Sequence, residues 1–203
     1  MTVRKGQAWG SAGGLPDDGI VVGTDAEVRA LVETARRSAR ELPIVGLLGG
    51  DLCASLGGTG DERRIRSPTA PRLPIDVVEV TLDDRRHWFV AHLVARRRLW
   101  SGRFVVAANA ERLGAWKVAP RAHPGDGLVD VLDGRLGLDD RLKARRRLPA
   151  GDHLPHPGIS VTRAAALRIE LDRPLPVRLD GQAAGPATRI ELRVEPDALI
   201  VVV

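Results

Sequence analysis

The chain has 203 residues, 43% of them hydrophobic, enough for one large domain or two small ones around a real core. Its 31 Lys and Arg outnumber 26 Asp and Glu, giving a formal charge of +5, and the single cysteine, Cys53, excludes an internal disulfide framework. No apolar stretch is long enough to cross a bilayer, no apolar run of a secretory signal follows the basic start, and no nucleic-acid-binding motif occurs; composition therefore points to a cytoplasmic protein without a nucleic-acid partner.

In chain order, residues 1–18 are rich in Gly, Ser and Pro and read as an arm. Residues 19–23 form a short apolar strand, and Thr24 is a good N-cap for a helix over 25–40, in which Val28, Leu31, Val32 and Ala35 share one face. A second strand follows over 43–48, then a short helix over 51–56 closed by Gly57-Gly58. Strand, helix, strand, helix is one parallel α/β unit. The polar, Arg- and Pro-rich residues 58–74 mark a boundary, so residues 1–72 are expected to form a reduced α/β unit with an N-terminal arm.

From residue 73 the period changes to two. Strands are expected over 75–82, 87–95, 103–109, 128–132, 159–162, 167–171, 177–179, 190–194 and 199–203, with Asp83-Asp84 as a hairpin turn and one helix over 139–148. Many short strands between Gly, Pro and Asp favour an antiparallel sandwich. The fold class is thus α+β: a large antiparallel β-sandwich over 73–203, preceded by a small, truncated, Rossmann-like α/β unit.

Two Asp-Gly corners carry the chemistry. Asp126-Gly127 places a carboxylate at a strand end, where it can ligate a hard cation such as magnesium, although Pro124-Gly125-Asp126-Gly127 is also strong turn chemistry by itself. Asp180-Gly181 ends a strand ordered by Pro174 and Pro176, and it too reads alternatively as a plain turn. His153 and His156 flank Pro155 and lack a third ligand nearby, so they read as loop residues; Trp88, Trp100 and Trp116 are core or rim residues by default. Arg96–Arg98 and Arg145–Arg147 are the densest of several basic clusters, which could meet an anionic membrane or simply be solvated.

The runs 104–110, 113–120, 124–130 and 174–182 together resemble the C-terminal half of the bacterial diacylglycerol kinase and lipid kinase family. The family segment GGG-x-[RK]-x-A-P-x-A-x-x-[DN]-D-G-x-L-D-V is met by Lys117, Ala119, Pro120, Ala122, Asp126, Gly127, Leu128, Asp130 and Val131. Of its glycine run only Gly114 remains, and Gly125 replaces the first acid of its acid pair. The resemblance implies that Asp180 is the base accepting a proton from a lipid hydroxyl, with Gln182 standing where the family has Glu. It implies Asp126 as a magnesium ligand and Lys117 as a phosphate or site-electrostatic residue.

The nucleotide-side loops match less well. Gly23, Thr24 and Asp25 fall on the family's GGDGT loop, and Gly49, Gly50 and Asp51 on its next glycine-containing loop; a rival alignment puts Gly49-Gly50-Asp51 on the first loop and residues 58–61 on the second. ATP and magnesium are the implied cofactors, a lipid or small-molecule alcohol the implied substrate, and peripheral contact with an anionic membrane the implied setting. Self-association into a homodimer stays open. Two functions follow: ATP-dependent phosphoryl transfer to a lipid hydroxyl, or a catalytically inactive pseudokinase that binds lipid, nucleotide or protein.

Overall fold

The computed structural model describes residues 9–203; residues 1–8, the start of the expected arm, lie outside the described residues. The remainder of that arm contributes β1 (Ser11–Ala12), which pairs with the start of β4 (Pro71–Leu82). Next come β2 (Ile20–Val22), α1 (Asp25–Arg37), β3 (Val45–Leu47) and α2 (Gly50–Ser55). β2 and β3 are parallel, with Ile20 opposite Val45 and Val22 opposite Leu47. Thr24 caps α1 through a reciprocal capping box with Glu27, and Val28, Val32 and Ala35 form its buried stripe. Residues 58–74 are not a plain loop: they include α3 (Glu62–Ile65), whose Ile65 fills a small core with Leu15, Ala70 and Val202.

The chain then continues through β5 (Arg85–Phe89), β6 (His92–Ala95), β7 (Arg103–Ala108), β8 (Arg112–Leu113), β9 (Trp116–Lys117), β10 (Val129–Arg135), α4 (Leu138–Arg147), β11 (Ile159–Ala164), β12 (Ala166–Leu179) and β13 (Gln182–Val202). Among the described residues, eleven strands make one continuous sheet in the order β1-β4-β13-β12-β6-β7-β10-β11. β5 pairs beside β4, and β3 joins the far end of β13 in parallel, carrying β2 with it. Every other pairing in this sheet is antiparallel. Residues from β4, β5, β6, β7, β10, β12 and β13 all meet in one core around Phe89, Leu93, Leu179 and Ile190, so the sheet curls over its own inner face like a sandwich. A second core, around Val28, Val45, Leu52, Ile75 and Val201, lies where α1 and α2 cover β2, β3 and the end of β13.

Five expected strands differ, in three places, and each difference has a local cause. The expected strands 167–171 and 177–179 are one bent strand, β12, with a register shift between Glu170 and Leu175, where Pro174 lies. Likewise 190–194 and 199–203 belong to β13, which is irregular between Glu195 and Leu199, where Asp197 has φ 51°. Bulges let a strand turn from one layer to the next without ending. Conversely, the expected strand 87–95 breaks into β5 and β6, because the amides of Val90, Ala91 and His92 bond to a side chain instead.

Phe89 is fully buried in the larger core. Phe89→Ala is expected to lower unfolding free energy by about 3–5 kcal/mol in urea titrations, from lost transfer energy plus the cavity left behind. A loss below about 1 kcal/mol would mean that the sheet does not close over this residue.

Candidate functional site

The side chain that breaks β5 from β6 is Asp180. Asp180 and Gly181 form the two-residue turn between β12 and β13, with φ of 46° and 80°. Both central residues of such a tight hairpin need positive φ, which Asp-Gly tolerates well. The turn aims the carboxylate inward: Oδ2 accepts from the Val90 amide at 3.0 Å, and Oδ1 from the Ala91 and His92 amides at 2.9 Å each. Burial nevertheless pushes Asp180 up to about 7, against the pull of those three donors, and Asp25 nearby adds repulsion.

Asp180 lines a cleft of about 520 Å³ together with Thr24, Asp25, Gly50, Asp51, His92, Arg178 and Gln182. Eight of the residues expected at the site therefore have a place here or beside it: six line the cleft, and Gly23 and Gly49 adjoin the same loops. Gly49 cannot carry a side chain, since a Cβ there would lie 2.4 Å from the Gly23 carbonyl oxygen. Gly50 has φ 93°, and its Cβ would lie 2.4 Å from Asp25 Oδ1. These two glycines thus let the α1 and α2 loops close on each other.

That closeness settles where the loop amides point. The Gly23 and Thr24 amides donate to Glu27 Oε2 at 2.8 and 3.0 Å, and the Glu27 carboxyl is held below its usual range chiefly by the Gly23 amide. The Asp51 and Leu52 amides, at the start of α2, donate to Asp25 at 2.6 and 3.1 Å. Burial pushes Asp25 up to about 6 in spite of these two bonds. Asp51 in turn accepts from the Gly114 amide at 2.7 Å, fastening the β8–β9 hairpin over the cleft. The amides of Gly23, Thr24, Asp51 and Leu52 are thus bonded to this chain's own carboxylates, which would have to give way before a nucleotide phosphate could use them.

Asp126 and Lys117 are not among the residues lining the cleft. Asp126 ion-pairs with Arg163, which also holds Asp130 at 3.2 Å, and its Oδ1 accepts from the Leu128 amide at 3.0 Å. Lys117 Nζ pairs with Glu111 at 3.0 Å. Among the described residues, no group of three or more His, Cys, Asp or Glu is arranged to hold a metal ion. Asp126, the expected magnesium ligand, is committed to Arg163 and the Leu128 amide, and no chemical step is assigned to a metal.

Several cleft and support residues escape the sequence. His92 is 2% exposed; its Nε2 donates to the Ala110 carbonyl at 3.0 Å and its Nδ1 faces Asp51 at 3.7 Å. Burial holds this ring neutral, below its ordinary range. Asp76 is fully buried on β4, accepts from the Gly127 and Asp197 amides at 2.7 and 3.0 Å, and is pushed up to about 6 by burial. An acid at an inward strand position was the available signal for Asp76. For His92, inside an apolar run, the sequence offered none.

A larger, mostly apolar cavity of about 770 Å³ adjoins the cleft, sharing Arg96, Trp100 and Trp116 with it. Phe104, Val106, Val118, Leu132 and Leu148 form much of its wall. Trp100 packs edge-on to Phe104 at 5.4 Å, and the Arg96 guanidinium lies 4.6 Å over the Trp100 ring.

A curled, mostly antiparallel sheet with a carboxylate-bearing hairpin over a cleft defines a β-sandwich-like domain. The family model described as YegS C-terminal NAD kinase beta sandwich-like domain matches residues 75–203, and the chain belongs to this family. Its resemblance to diacylglycerol kinase-like lipid kinases is borne out. Solved structures named as diacylglycerol kinases from Bacillus anthracis str. Sterne share the fold. One is 14% identical with a TM-score of 0.70, covering 91% of this chain and 78% of its own. A second is 15% identical at 0.65, covering 91% and 76%. No curated protein sequence matches the chain.

Two outcomes test this geometry. Gly50→Ala should cost about 1–3 kcal/mol from positive φ alone and more from the clash with Asp25, whereas Gly57→Ala, with φ 76° in open space, should cost only the φ strain. Equal losses in urea titrations would refute the close approach of the two loops. Asp180, with its ordinary value of 3.8 raised to about 7, holds a proton in the folded chain that the unfolded chain lacks between those values. Its contribution to stability is present at low pH and lost as pH rises through 7. The melting temperature of wild type minus that of Asp180→Asn should therefore fall between pH 4 and 7; a constant gap would show an ordinary carboxyl.

Proposed function

We propose that this chain is a lipid-binding member of the diacylglycerol kinase-like family in which phosphoryl transfer has been given up. The carrying observation is that Glu27 and Asp25 accept from the amides of Gly23, Thr24, Asp51 and Leu52, in the loops where phosphate is expected. On this reading the β2–α1–β3 unit is the remnant of a Rossmann-like nucleotide unit, kept because it buttresses the sheet and the cleft. The ligand is an amphiphile, its acyl part in the apolar cavity and its polar end, a hydroxyl or glycerol, in the cleft beside Asp180 and Gln182. The half-buried tryptophans between the two spaces suit the junction of chain and head group.

A second reading, ATP-dependent transfer to that hydroxyl, draws support from one feature. Asp180 has a proton affinity suited to a general base near neutral pH and sits in the cleft with Asp25 and Asp51.

Calorimetry with millimolar ATP and magnesium, run beside titration with a fluorescent fatty acid, separates the two. The expected result is saturable binding of the acyl probe, weakened roughly tenfold in Trp116→Ala, and no heat of nucleotide binding. Nucleotide binding with lipid-dependent turnover that Asp180→Asn abolishes would replace the first reading by the second. An acyl probe that does not bind, with no turnover, would overturn both.

A further inference from the structure

One face of four neighbouring strands runs beneath both the polar cleft and the apolar cavity, and its side chains change character in a fixed order. Across β12, β6, β7 and β10, Arg178 is opposite Val94, Val94 opposite Val106, and Val106 opposite Leu132. Residues directly opposite one another in a sheet share a face, so these four make one row. Leu93 and Leu179, the neighbours of Val94 and Arg178 along their strands, face the larger core instead. Arg178 and Val94 line the cleft, whereas Val106 and Leu132 line the cavity. The row spans three strand spacings, about 14 Å, from a guanidinium group to an apolar end.

Arg96 enlarges the basic end. Its amide donates to the Pro176 carbonyl at 3.1 Å, which sets it diagonally beside Arg178 on the same face, and it lines both spaces. Burial first, and then the Arg178 charge, holds the Arg96 guanidinium below its usual range. Among the described residues neither arginine makes an ion pair with a carboxylate. Each Nη1 donates to a backbone carbonyl, that of Arg96 to Arg97 at 3.1 Å and that of Arg178 to Gly181 at 2.7 Å. A guanidinium group has five N–H donors, so most remain for a ligand. The acids of the cleft are bonded elsewhere: Asp25 accepts from two backbone amides, Asp180 from three, and Asp51 from that of Gly114.

Two like charges side by side without a counter-ion, at the polar end of an amphipathic floor, are complementary to an oxyanion that carries an apolar chain. Asp25, Asp51 and Asp180 line the same cleft and would repel a second negative charge, which favours a singly charged head. We propose that Arg96 and Arg178 form an anion-binding subsite for the carboxylate of a single-chain lipid, whose chain lies over Val106 and Leu132. The subsite rests on the lipid-binding reading and extends it. A neutral head group is still accepted beside Asp180 and Gln182, but the arginine pair makes the carboxylate the tighter ligand.

Calorimetry of the full chain with dodecanoate and with monododecanoylglycerol, the same chain on an uncharged head, tests the subsite. Dodecanoate is expected to bind roughly tenfold tighter, and added salt should remove that advantage. Arg178→Gln alters an exposed side chain and should erase most of the advantage; Arg96→Gln/Arg178→Gln should erase all of it. Monododecanoylglycerol should bind both variants as it binds wild type, which also shows that they fold. Arg97→Gln removes a neighbouring charge that lines neither space and should leave the preference intact. Equal affinity of wild type for the two lipids, or the same loss in Arg97→Gln as in Arg178→Gln, would overturn the subsite. Dodecyl phosphate binding more tightly than dodecanoate would overturn the carboxylate as its ligand. If monododecanoylglycerol binds without any preference for dodecanoate, the subsite alone fails; if neither lipid binds, the lipid-binding reading fails with it.

Discussion

The rest of the structure depends on one buried carboxylate satisfying three backbone donors. Val90 and Ala91 lie between β5 and β6 and His92 opens β6, and without Asp180 their three amides would be buried and unpaired. An orphaned buried donor costs about 1–3 kcal/mol. This contact locks the β12–β13 hairpin onto the opposite layer and fixes where the curled sheet bends. It also puts a carboxyl with a raised proton affinity at the floor of the cleft. Structural and chemical roles share one side chain here, so a substitution at Asp180 has to be read by its pH dependence as well as by its cost.

Around that floor, carboxylates do what bound anions do in other proteins. Helix N-termini attract negative charge because their first amides lack partners within the helix. α1 satisfies its own through Thr24 and Glu27, and α2 borrows Asp25 from the neighbouring loop. Gly49 and Gly50 make the borrowing possible by letting the loops touch. A phosphate entering here would have to displace a carboxylate already in place and lie beside Asp51. The same economy appears at Asp126, whose charge is spent on Arg163 and whose loop is anchored through Gly127 to buried Asp76.

The apolar cavity balances this acidic floor. It adjoins the cleft across Arg96, Trp100 and Trp116, residues whose apolar bodies and polar ends suit a boundary between oil-like and wet space. The molecule therefore sets a polar cleft beside an apolar cavity.

The sequence by itself determined the local elements and the family. The apolar stripe of α1, the Thr24 cap, the Asp83-Asp84 and Asp180-Gly181 hairpins and the motif from Lys117 to Val131 are all written in neighbouring residues, because dihedral preference and side-chain period are local properties. It also brought Asp25, Asp51 and Asp180 forward as candidates, though only by resemblance. What tertiary structure alone decided is which donors each carboxylate meets. Asp126 turned to Arg163 and Asp25 took the amides of α2, partners far away in sequence, while Lys117 turned to Glu111 across the β8–β9 hairpin. Bulges in β12 and β13 carried single strands through what sequence divided into pairs. A buried charge must find its partner wherever the whole chain places one, and that choice is made by packing, not by spacing.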